Sequence, residues 1–556
     1  MTALTAVTGA LLVATTPASA APVTTAASTT ATEYIVLQDA NSGSLAAKAA
    51  VERAGGTVVA DNSALGYVVA RSSRADFGAK VNADSTVLGA AANEIIGRAP
   101  ELKQADQFQI EQLRADAPKT SGRGAHHGSG AGSEPFADLQ WDMKQIDATA
   151  KGSYAKQSGD KKTLVGVIDT GVDGSHPDIA PNFSKKLSRN FVTDIPAIDG
   201  ECEVASCKDP ADVDDGGHGT HVASTIASPV NGIGIAGVAP DVTLVNIRAG
   251  QDSGYFFLQA TLDALTYAGD IGVDVVNMSY YVDPWLFNCT NNPADSAEEQ
   301  RQQQVTRTAV QRALNYARNK GVLPVSAEGN EATDLNNPTT DTVSPNYPEG
   351  AAKTRTIDNS CINVPAESKG VLTVSSTGPS KRKAYYSNYG TQETDVAAPG
   401  GDTYDTADGT RNIANAVLGA YPKHLAIENG DIDENGEPTN TAVLKSCKGS
   451  VCGYYQYLQG TSMASPHAAG VAALVVSEYG KKDKSGLGLD PDKTEAKVLK
   501  SATETACPNP RTFHYHRILT TGAVVDSYAT CEGPKSDNGF YGHGIVNAKA
   551  AVTGKL

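Results

Sequence analysis

Short apolar runs alternate with amphipathic helical patterns over most of the chain from about Gln140 onward. The runs include TLVGVID, VTLVNIR, VDVVNMS, GVLPVSAEGN and GVLTVSS, and several are apolar on both faces. The segment EEQRQQQVTRTAVQRALNYARNKG has helical spacing. Strands that are apolar on both faces and separated by helices predict a parallel sheet with helices on both faces, an α/β fold. Ligands bind such sheets beyond the carboxyl ends of the strands, so functional residues are expected just after these runs.

Residues 33–98 have the pattern of a separate small domain. EYIVLQ alternates like a strand, SLAAKAAVERAGG has helical spacing, and TVVADNSALGYVVARSS fits two strands around a turn. RADFGAKVNAD and VLGAAANEIIG add a second helix and a last strand. This β-α-β-β-α-β order predicts a ferredoxin-like α+β unit. Residues 99–138, which include GRGAHHGSGAGSEP, predict a flexible linker whose two histidines lie in a solvated loop rather than on a metal.

Composition and the N-terminus narrow the class of protein. The formal net charge of -16 argues against nucleic acid or an anionic membrane as a partner. The apolar run Ala3–Ala14 and the ASA triplet at Ala18–Ala20 predict a signal peptide over residues 1–20 and a secreted protein. Because no Lys or Arg precedes the apolar run, we expect this start to be truncated or misassigned. A disordered Ala/Thr-rich tail is the alternative.

The eight cysteines fit an oxidising compartment. Their spacing alone leaves the connectivity open, although short loops close most easily and favour the two closest pairs. No paired CxxC spacing is present, which disfavours zinc, and buried free thiols are the remaining alternative. The expected disulfide pairs are Cys202 with Cys207, Cys289 with Cys361, Cys447 with Cys452, and Cys507 with Cys531.

Three polar side chains stand at the ends of predicted elements. Asp169 follows the strand in VGVIDTGVDGSHPD, His218 precedes a small-residue helical run in DDGGHGTHVAS, and Ser462 opens another such run in GTSMASPHAAGVAALV. Singly, each has an ordinary explanation as a turn cap, a structural histidine or a helix cap. Together they supply what nucleophilic catalysis needs, since a serine requires a base and the imidazole requires an orienting carboxylate.

These and further motifs resemble the subtilisin-type serine proteases, the subtilase family. The matching segments are VIDTGVDGSHPD, HGTHVAS, GIAGVAP, VVNMS, AEGN, DVAAPG and GTSMASPH, which span most of residues 140–475, and YGHGIVNAKAAV near the C-terminus. The resemblance implies a subtilisin-like catalytic domain over residues 139–556. It also implies that the small N-terminal domain is a propeptide that assists folding, inhibits the enzyme and is removed by self-cleavage between Ile96 and Gln140.

Carried over by motif, the resemblance gives roles to individual residues. It implies that Asp169 orients the imidazole, that His218 is the general base and that Ser462 is the nucleophile. Asn330 would form the oxyanion hole with the backbone N–H of Ser462, and His221 would be structural.

The same resemblance predicts the substrate-binding residues Ser279, Tyr280, Tyr281, Ala327, Glu328 and Gly329. The family's binding strand usually continues from NMS into one residue and two glycines, whereas this chain has NMSYYVDP. Tyr281 and Val282 therefore predict a reduced or reshaped S1 pocket. We expect Glu328 either to favour a basic substrate residue or to point to solvent.

Two candidate calcium sites arise, and no catalytic cofactor is expected. By resemblance, Asp178, Asn231, Ile233 and Ile235 match positions that hold a structural calcium in many subtilases, with oxygen ligands of the kind calcium prefers. The acidic stretch DIDENG, Asp431–Gly436, has the first half of a calcium-loop pattern but lacks its final Glu, which favours an acidic surface turn.

The sequence therefore predicts a secreted, monomeric serine endopeptidase that acts on proteins or peptides and is made as a self-processed zymogen. A processing protease dedicated to one peptide partner is the first alternative, because Gly401–Gln459, expected to be mostly loop, and Pro284–Arg301 add long segments near the site. A non-catalytic binding protein of the same fold is disfavoured, because all four catalytic residues are present.

Overall fold

The computed structural model describes residues 31–93, 111, 113, 134–482 and 486–556. The predicted signal peptide and most of the predicted linker lie outside these residues.

The first elements are β1 (Thr32–Gln38), α1 (Ser44–Arg53), β2 (Thr57–Asn62), β3 (Tyr67–Ser72), α2 (Phe77–Asn82) and β4 (Val87–Ala92). They are followed by α3 (Trp141–Gln145), β5 (Leu164–Ile168), β6 (Arg189–Asn190), α4 (Pro196–Asp199), α5 (His218–Ala227), β7 (Thr243–Arg248), α6 (Leu258–Ile271), β8 (Val275–Met278), α7 (Ala297–Asn319), β9 (Leu323–Ala327), β10 (Thr340–Asp341) and β11 (Arg355–Thr356). The remainder comprises β12 (Leu372–Thr377), β13 (Val396–Pro399), β14 (Val417–Tyr421), α8 (Lys423–Glu428), β15 (Val443–Lys448), β16 (Val451–Leu458), α9 (Thr461–Tyr479), β17 (Lys481–Lys482), β18 (Leu487–Gly488), α10 (Pro491–Ser501), β19 (Thr512–Ile518), β20 (Val524–Thr530) and α11 (Ala548–Ala551).

A parallel seven-stranded sheet in the order β13-β12-β9-β8-β5-β7-β6 forms the centre of the larger unit. One face packs against α5 and α9, and the other packs against α6 and α7. Every residue of β5, β8, β9, β12 and β13 is buried, as strands covered on both faces require. The predicted α/β fold with a doubly covered parallel sheet is confirmed. Among the described residues, no helix combines the length and apolar character needed to cross a bilayer.

The N-terminal unit has the predicted β-α-β-β-α-β order, with an antiparallel sheet in the order β2-β3-β1-β4. Successive side chains of a strand face opposite sides, and β1 illustrates the result. Val36 packs with α1 and α2, whereas Ile35 and Leu37 join the cluster that includes α6 and α7. Arg312 of α7 adds a hydrogen bond of 3.1 Å to the carbonyl oxygen of Gln38. The small unit is therefore docked on the helical face of the large one.

More than half of the segment Gly401–Gln459 is loop, as expected. The loops are arranged around a three-stranded antiparallel sheet, β14-β16-β15, and the short helix α8. Tyrosines of β16 supply the apolar surface that holds this sheet in place, since Tyr455 and Tyr457 are buried against the large unit. The structure forms all four expected disulfide pairs: Cys202–Cys207, Cys289–Cys361, Cys447–Cys452 and Cys507–Cys531.

Candidate active site

Asp169 and His218 meet at the carboxyl edge of the sheet. Asp169 is the first residue after β5, and His218 is the first residue of α5. Both are buried, and the imidazole Nδ1 lies 2.7 Å from Oδ1 of Asp169. Gly219 permits this approach, because a Cβ there would lie 2.1 Å from the carbonyl oxygen of Gly171 and 3.0 Å from Cβ of Asp169. The structure thus brings the predicted acid and base into contact.

Ser462 lies in the first turn of the buried helix α9, where backbone N–H groups have no partner within the helix. Its hydroxyl donates a hydrogen bond of 3.3 Å to the carbonyl oxygen of Ser279, which follows β8. The N-terminal end of a helix also carries a partial positive charge. A serine at this position is therefore held beside groups suited to stabilise a developing anion.

Asn330 is fixed next to the start of α9. Its side-chain oxygen accepts hydrogen bonds from the backbone N–H and the hydroxyl of Thr461, both at 2.9 Å. The amide nitrogen is consequently turned the other way, and it donates a hydrogen bond of 3.0 Å to Oε1 of Glu111. The predicted oxyanion-hole amide therefore holds a carboxylate in this structure.

Glu111 is the residue that the sequence analysis missed. Its carboxylate is fully buried, with Oε2 3.1 Å from Nε2 of His218 and Oε1 on Asn330. Gly460 leaves room for this side chain, because a Cβ at that glycine would lie 2.6 Å from Oε1 of Glu111. Glu111 falls within the predicted linker, and a single carboxylate there belongs to no motif. The apolar residues around it in FQIEQL are the signal that could have marked a segment bound in a cleft.

The two carboxylates change the protonation of the imidazole between them. Burial alone would lower the pKa of His218, but Asp169 and Glu111 together raise that pKa to about 10. The two carboxylates therefore favour the imidazolium, and in that form the ring cannot accept a proton from a hydroxyl. Burial lowers the pKa of the neighbouring His221 to about 3, and its Nε2 lies 3.1 Å from the carbonyl oxygen of Val417, an arrangement that agrees with a structural role.

A cleft runs beside Ser462 and Asn330. It is lined by five of the six predicted substrate-binding residues and by three that were not predicted: Ser279, Tyr280, Tyr281, Ala327 and Gly329, together with Glu331, Asn363 and Thr461. Tyr280 is stacked on Phe256 with ring centroids 4.0 Å apart, and the Tyr281 hydroxyl accepts a hydrogen bond of 2.8 Å from Asn346. Tyr281, one of the two residues that stand where the family usually has glycine, thus lines the cleft together with Tyr280, whereas Val282 is buried away from it.

Glu328 does not reach the cleft, and the prediction that it binds substrate or faces solvent is wrong. Its side chain is fully buried and accepts a hydrogen bond of 2.6 Å from the hydroxyl of Thr394. Burial raises its pKa well above the usual value despite the nearby Lys383. Because β9 is covered on both faces, successive side chains at its end cannot all face the cleft. The carboxylate on the cleft belongs instead to Glu331, which accepts a hydrogen bond of 2.7 Å from Asn388.

The predicted calcium ligands form a closed network of hydrogen bonds. The Asp178 carboxylate accepts bonds from the side chain of Asn231 at 2.9 Å, the backbone N–H of Ile235 at 3.0 Å and the hydroxyl of Tyr455 at 2.7 Å. The Asn231 side-chain oxygen accepts the backbone N–H of Ile233 at 2.9 Å. Burial also raises the pKa of Asp178 to about 7, which weakens its charge as a ligand.

The inserted sheet supplies the groups that oppose a cation at this position. Lys448 of β15 donates a hydrogen bond of 2.7 Å to the carbonyl oxygen of Asn231, and Tyr455 belongs to β16. The ammonium group on the Asn231 carbonyl oxygen and the hydroxyl group on the Asp178 carboxylate occupy two of the oxygen atoms that calcium would need. The residues therefore do not fit the predicted ion. Asp433 of the second candidate accepts the backbone N–H groups of Asn435 and Glu437, as an acidic turn does.

We expect calcium to leave the stability of this chain unchanged. The melting temperature of the metal-free protein, measured with and without calcium chloride, should be the same. Tyr455→Phe should lower the free energy of unfolding by about 1.5–3 kcal/mol, because it removes a hydrogen bond to a buried carboxylate. Tyr528→Phe on an exposed tyrosine is the matched control and should have little effect. A calcium-dependent rise in the melting temperature of the unaltered protein would contradict this account.

Comparison with known proteins agrees with the geometry. The sequence model of the subtilase family matches residues 160–544. A thermophilic serine proteinase of Bacillus sp. (strain AK1) is 30% identical over 62% of this chain and 56% of its own length. The epidermin leader peptide-processing serine protease EpiP of Staphylococcus epidermidis is 27% identical over 65% of this chain and 69% of its own length.

A solved structure extends the comparison to nearly the whole chain. The epidermin leader peptide-processing serine protease EpiP from Staphylococcus aureus superposes with a TM-score of 0.61 at 20% identity, covering 95% of this chain and 99% of that one. At this identity the likeness concerns the fold alone. The family match, by contrast, spans more than half of the sequence. The chain belongs to the subtilase family and is a serine endopeptidase.

Proposed function

We propose that the chain hydrolyses peptide bonds with Ser462 as nucleophile, His218 as general base, and Asp169 as the residue that orients the imidazole. The observation that carries this proposal is the position of the Glu111 carboxylate. It lies between His218 Nε2 and the Asn330 amide, 3.1 and 3.0 Å from them. The tetrahedral intermediate of peptide hydrolysis also carries an anionic oxygen. It needs a base and an oxyanion donor that converge on one place, as His218 and Asn330 do here.

The reaction then follows from the groups in place once Glu111 has left. His218 Nε2 accepts the proton of the Ser462 hydroxyl as the oxygen attacks the substrate carbonyl carbon, while Asp169 keeps the other nitrogen protonated. Asn330 and the backbone N–H of Ser462 stabilise the oxyanion, and one such donor is worth about 2.7–4 kcal/mol in the transition state. The imidazolium gives its proton to the leaving amine, and water hydrolyses the acyl-enzyme by the same steps.

We also propose that the chain is made as a secreted zymogen and that the small domain is its propeptide. The small domain is docked on α6 and α7, and the segment that contains Glu111 and Leu113 connects it to the large unit. Leu113, two residues after the carboxylate that contacts His218 and Asn330, is buried against Phe136, Leu418 and Tyr457. The signal-like N-terminus and the four disulfides favour export.

The zymogen proposal predicts a difference between two secreted proteins. The unaltered chain should begin between Ile96 and Gln140, whereas Ser462→Ala should retain residues 33–98, because the cut requires the enzyme's own nucleophile. N-terminal sequencing of both proteins measures this. An uncut wild type, or identical cleavage of both, would refute self-processing and would leave peptide hydrolysis to be judged by its own assay.

A processing protease dedicated to one peptide is the second candidate. The aromatic wall of Tyr280 and Tyr281 favours it, because a fixed and narrowed cleft restricts the side chains that can enter. A relative at 27% identity carries the name of a leader peptide-processing protease. Casein separates the two candidates, since a broad protease degrades it and a dedicated one leaves it intact while cutting a short list of library peptides.

A further inference from the structure

The hairpin β19–β20 carries polar chemistry that peptide hydrolysis does not use. Strand β19 alternates, so Tyr515 faces inward and donates a hydrogen bond of 3.1 Å to the carbonyl oxygen of Lys383. Phe513 packs beside Tyr515. His514 and His516 therefore share the outer face, and about 47% and 45% of their side-chain surfaces are exposed.

A carboxylate on the partner strand completes a cluster of three. Asp526 of β20 is directly opposite His516 in the antiparallel register. Its Oδ1 lies 2.7 Å from Nε2 of His514 and 2.9 Å from Nδ1 of His516. The three donor atoms all lie within 4.8 Å of one another. Two imidazoles thus converge on a single oxygen atom.

We propose that His514, His516 and Asp526 bind one divalent transition-metal ion of the zinc class. Neutral imidazole nitrogen and carboxylate oxygen are ligands that zinc accepts, at roughly 2.0–2.2 Å. Ligand atoms around a tetrahedral ion are consequently about 3.3 Å apart, close to the separations of 2.7 and 2.9 Å found here. Small side-chain rotations are enough to admit the ion, and water completes its coordination. The bound ion links the two strands of the hairpin on their outer face.

The surroundings hold the three ligands in position before any ion arrives. The ring of His514 is stacked on Tyr528, with centroids 4.7 Å apart and planes 12° from parallel. Gly409 gives His516 its room, since a Cβ there would lie 2.3 Å from the His516 carbonyl oxygen and 3.1 Å from its ring. The disulfide Cys507–Cys531 closes the base of the hairpin. Ligands that are oriented in advance lose less freedom on binding.

A second cluster, formed by Asp194, Glu203, Asp209 and Asp252, has a different character. The guanidinium group of Arg248 already bonds Asp194, Asp209 and Asp252, at 3.2, 2.6 and 2.8 Å. A fixed positive charge inside this cluster opposes a cation. In the hairpin cluster the groups that face the Asp526 carboxylate are two imidazoles, and a neutral imidazole nitrogen is itself a metal ligand.

Zinc titration of the full chain at slightly alkaline pH, against a chromophoric competitor, tests the proposal. We expect one site whose affinity falls by more than tenfold in His514→Ala, in His516→Ala and in Asp526→Asn. Loss of an outer hydrogen-bond partner already costs about tenfold, so loss of a direct ligand should cost more. Cobalt substitution should give a visible spectrum that reports nitrogen and oxygen ligation and disappears in the same variants.

Two controls separate this site from other sources of binding. His424→Ala removes an imidazole paired with Asp215 at 2.7 Å, a site with one histidine only, and should leave the affinity unchanged. The double variant His126→Ala/His127→Ala tests the histidines of the linker sequence and should also bind normally. Absence of binding, or binding that the hairpin variants leave intact in folded protein, would overturn the proposal and leave the cluster as an ion pair.

Discussion

Ser462→Ala is expected to lower kcat for peptide hydrolysis by about 10⁶-fold, because triad residues act as a unit and removal of one stops covalent catalysis. The remaining activity comes from binding and from the oxyanion donors, including Asn330. A fluorophosphonate probe, which reacts with an activated serine, should label the processed wild type and not the variant. Because Ser462→Ala should not cut itself, its N-terminal segment is removed by a separate protease before activity on a fluorogenic peptide, normalised to folded protein, is compared with that of processed wild type.

The control for this loss lies on the same helix. Ser477 is near the C-terminal end of α9, and its hydroxyl donates a hydrogen bond of 2.8 Å to the carbonyl oxygen of Ala473. Ser477→Ala should keep both activity and probe labelling. Compared in the same processed form, Ser462→Ala should melt close to the wild type, because its hydroxyl makes one long hydrogen bond of 3.3 Å. Ser477→Ala should melt lower, because its hydroxyl also accepts the backbone N–H of Asp160 at 3.1 Å and lies 2.9 Å from the hydroxyl of Thr163, so activity is normalised to folded protein. Substantial turnover by folded Ser462→Ala would show that another residue is the nucleophile.

The central sheet was predictable because strands that are buried on both faces consist mostly of apolar residues. The apolar runs of β5, β7, β8, β9 and β12, with helical patterns between them, were enough to predict a parallel sheet. The insertion was not predictable in the same way. Strand β15 is largely polar, and polar loops such as DIDENG, which lies between β14 and β15, interrupt the segment. The stability of its strands comes from tyrosines that bury against distant parts of the chain, which local patterns do not report.

The candidate site shows the same division. Asp169, His218, Ser462 and Asn330 each sit at the end of an element, where motif and fold agree. Glu328 and Glu331 are close in sequence, and only the backbone geometry after β9 decides which carboxylate faces the cleft. The partners of the expected calcium ligands were hidden for a related reason. Lys448 and Tyr455, which hydrogen-bond Asn231 and Asp178, come from an insertion more than two hundred residues away from them.

The proposed latency should depend on pH through the contact of Glu111 with His218. The folded-state pKa of His218 is raised to about 10, above the ordinary value of 6.5, by Asp169 and Glu111 acting against burial. Because the pKa of His218 is raised, the ion pair between Glu111 and the imidazolium is fully present below pH 6.5, the ordinary pKa of histidine. It is lost progressively as pH rises toward 10. Release of the cleft, and with it activation, should therefore accelerate as pH rises from neutral into the alkaline range.

Glu111→Gln is expected to activate about ten- to a hundredfold faster than the wild type at neutral pH, and with a weaker dependence on pH. The substitution keeps the shape of the side chain but removes its charge, and one charged hydrogen bond is worth about 1.5–3 kcal/mol. The appearance of processed enzyme over time measures the rate. An NMR titration in a Ser462→Ala background should show the pKa of His218 lowered, because burial then opposes Asp169 alone.

Glu134→Gln is the matched control, since that carboxylate accepts the backbone N–H of Gly232 outside the cleft, and it should activate at the wild-type rate. If Glu111→Gln left both the activation rate and the His218 pKa unchanged, Glu111 would have no part in latency.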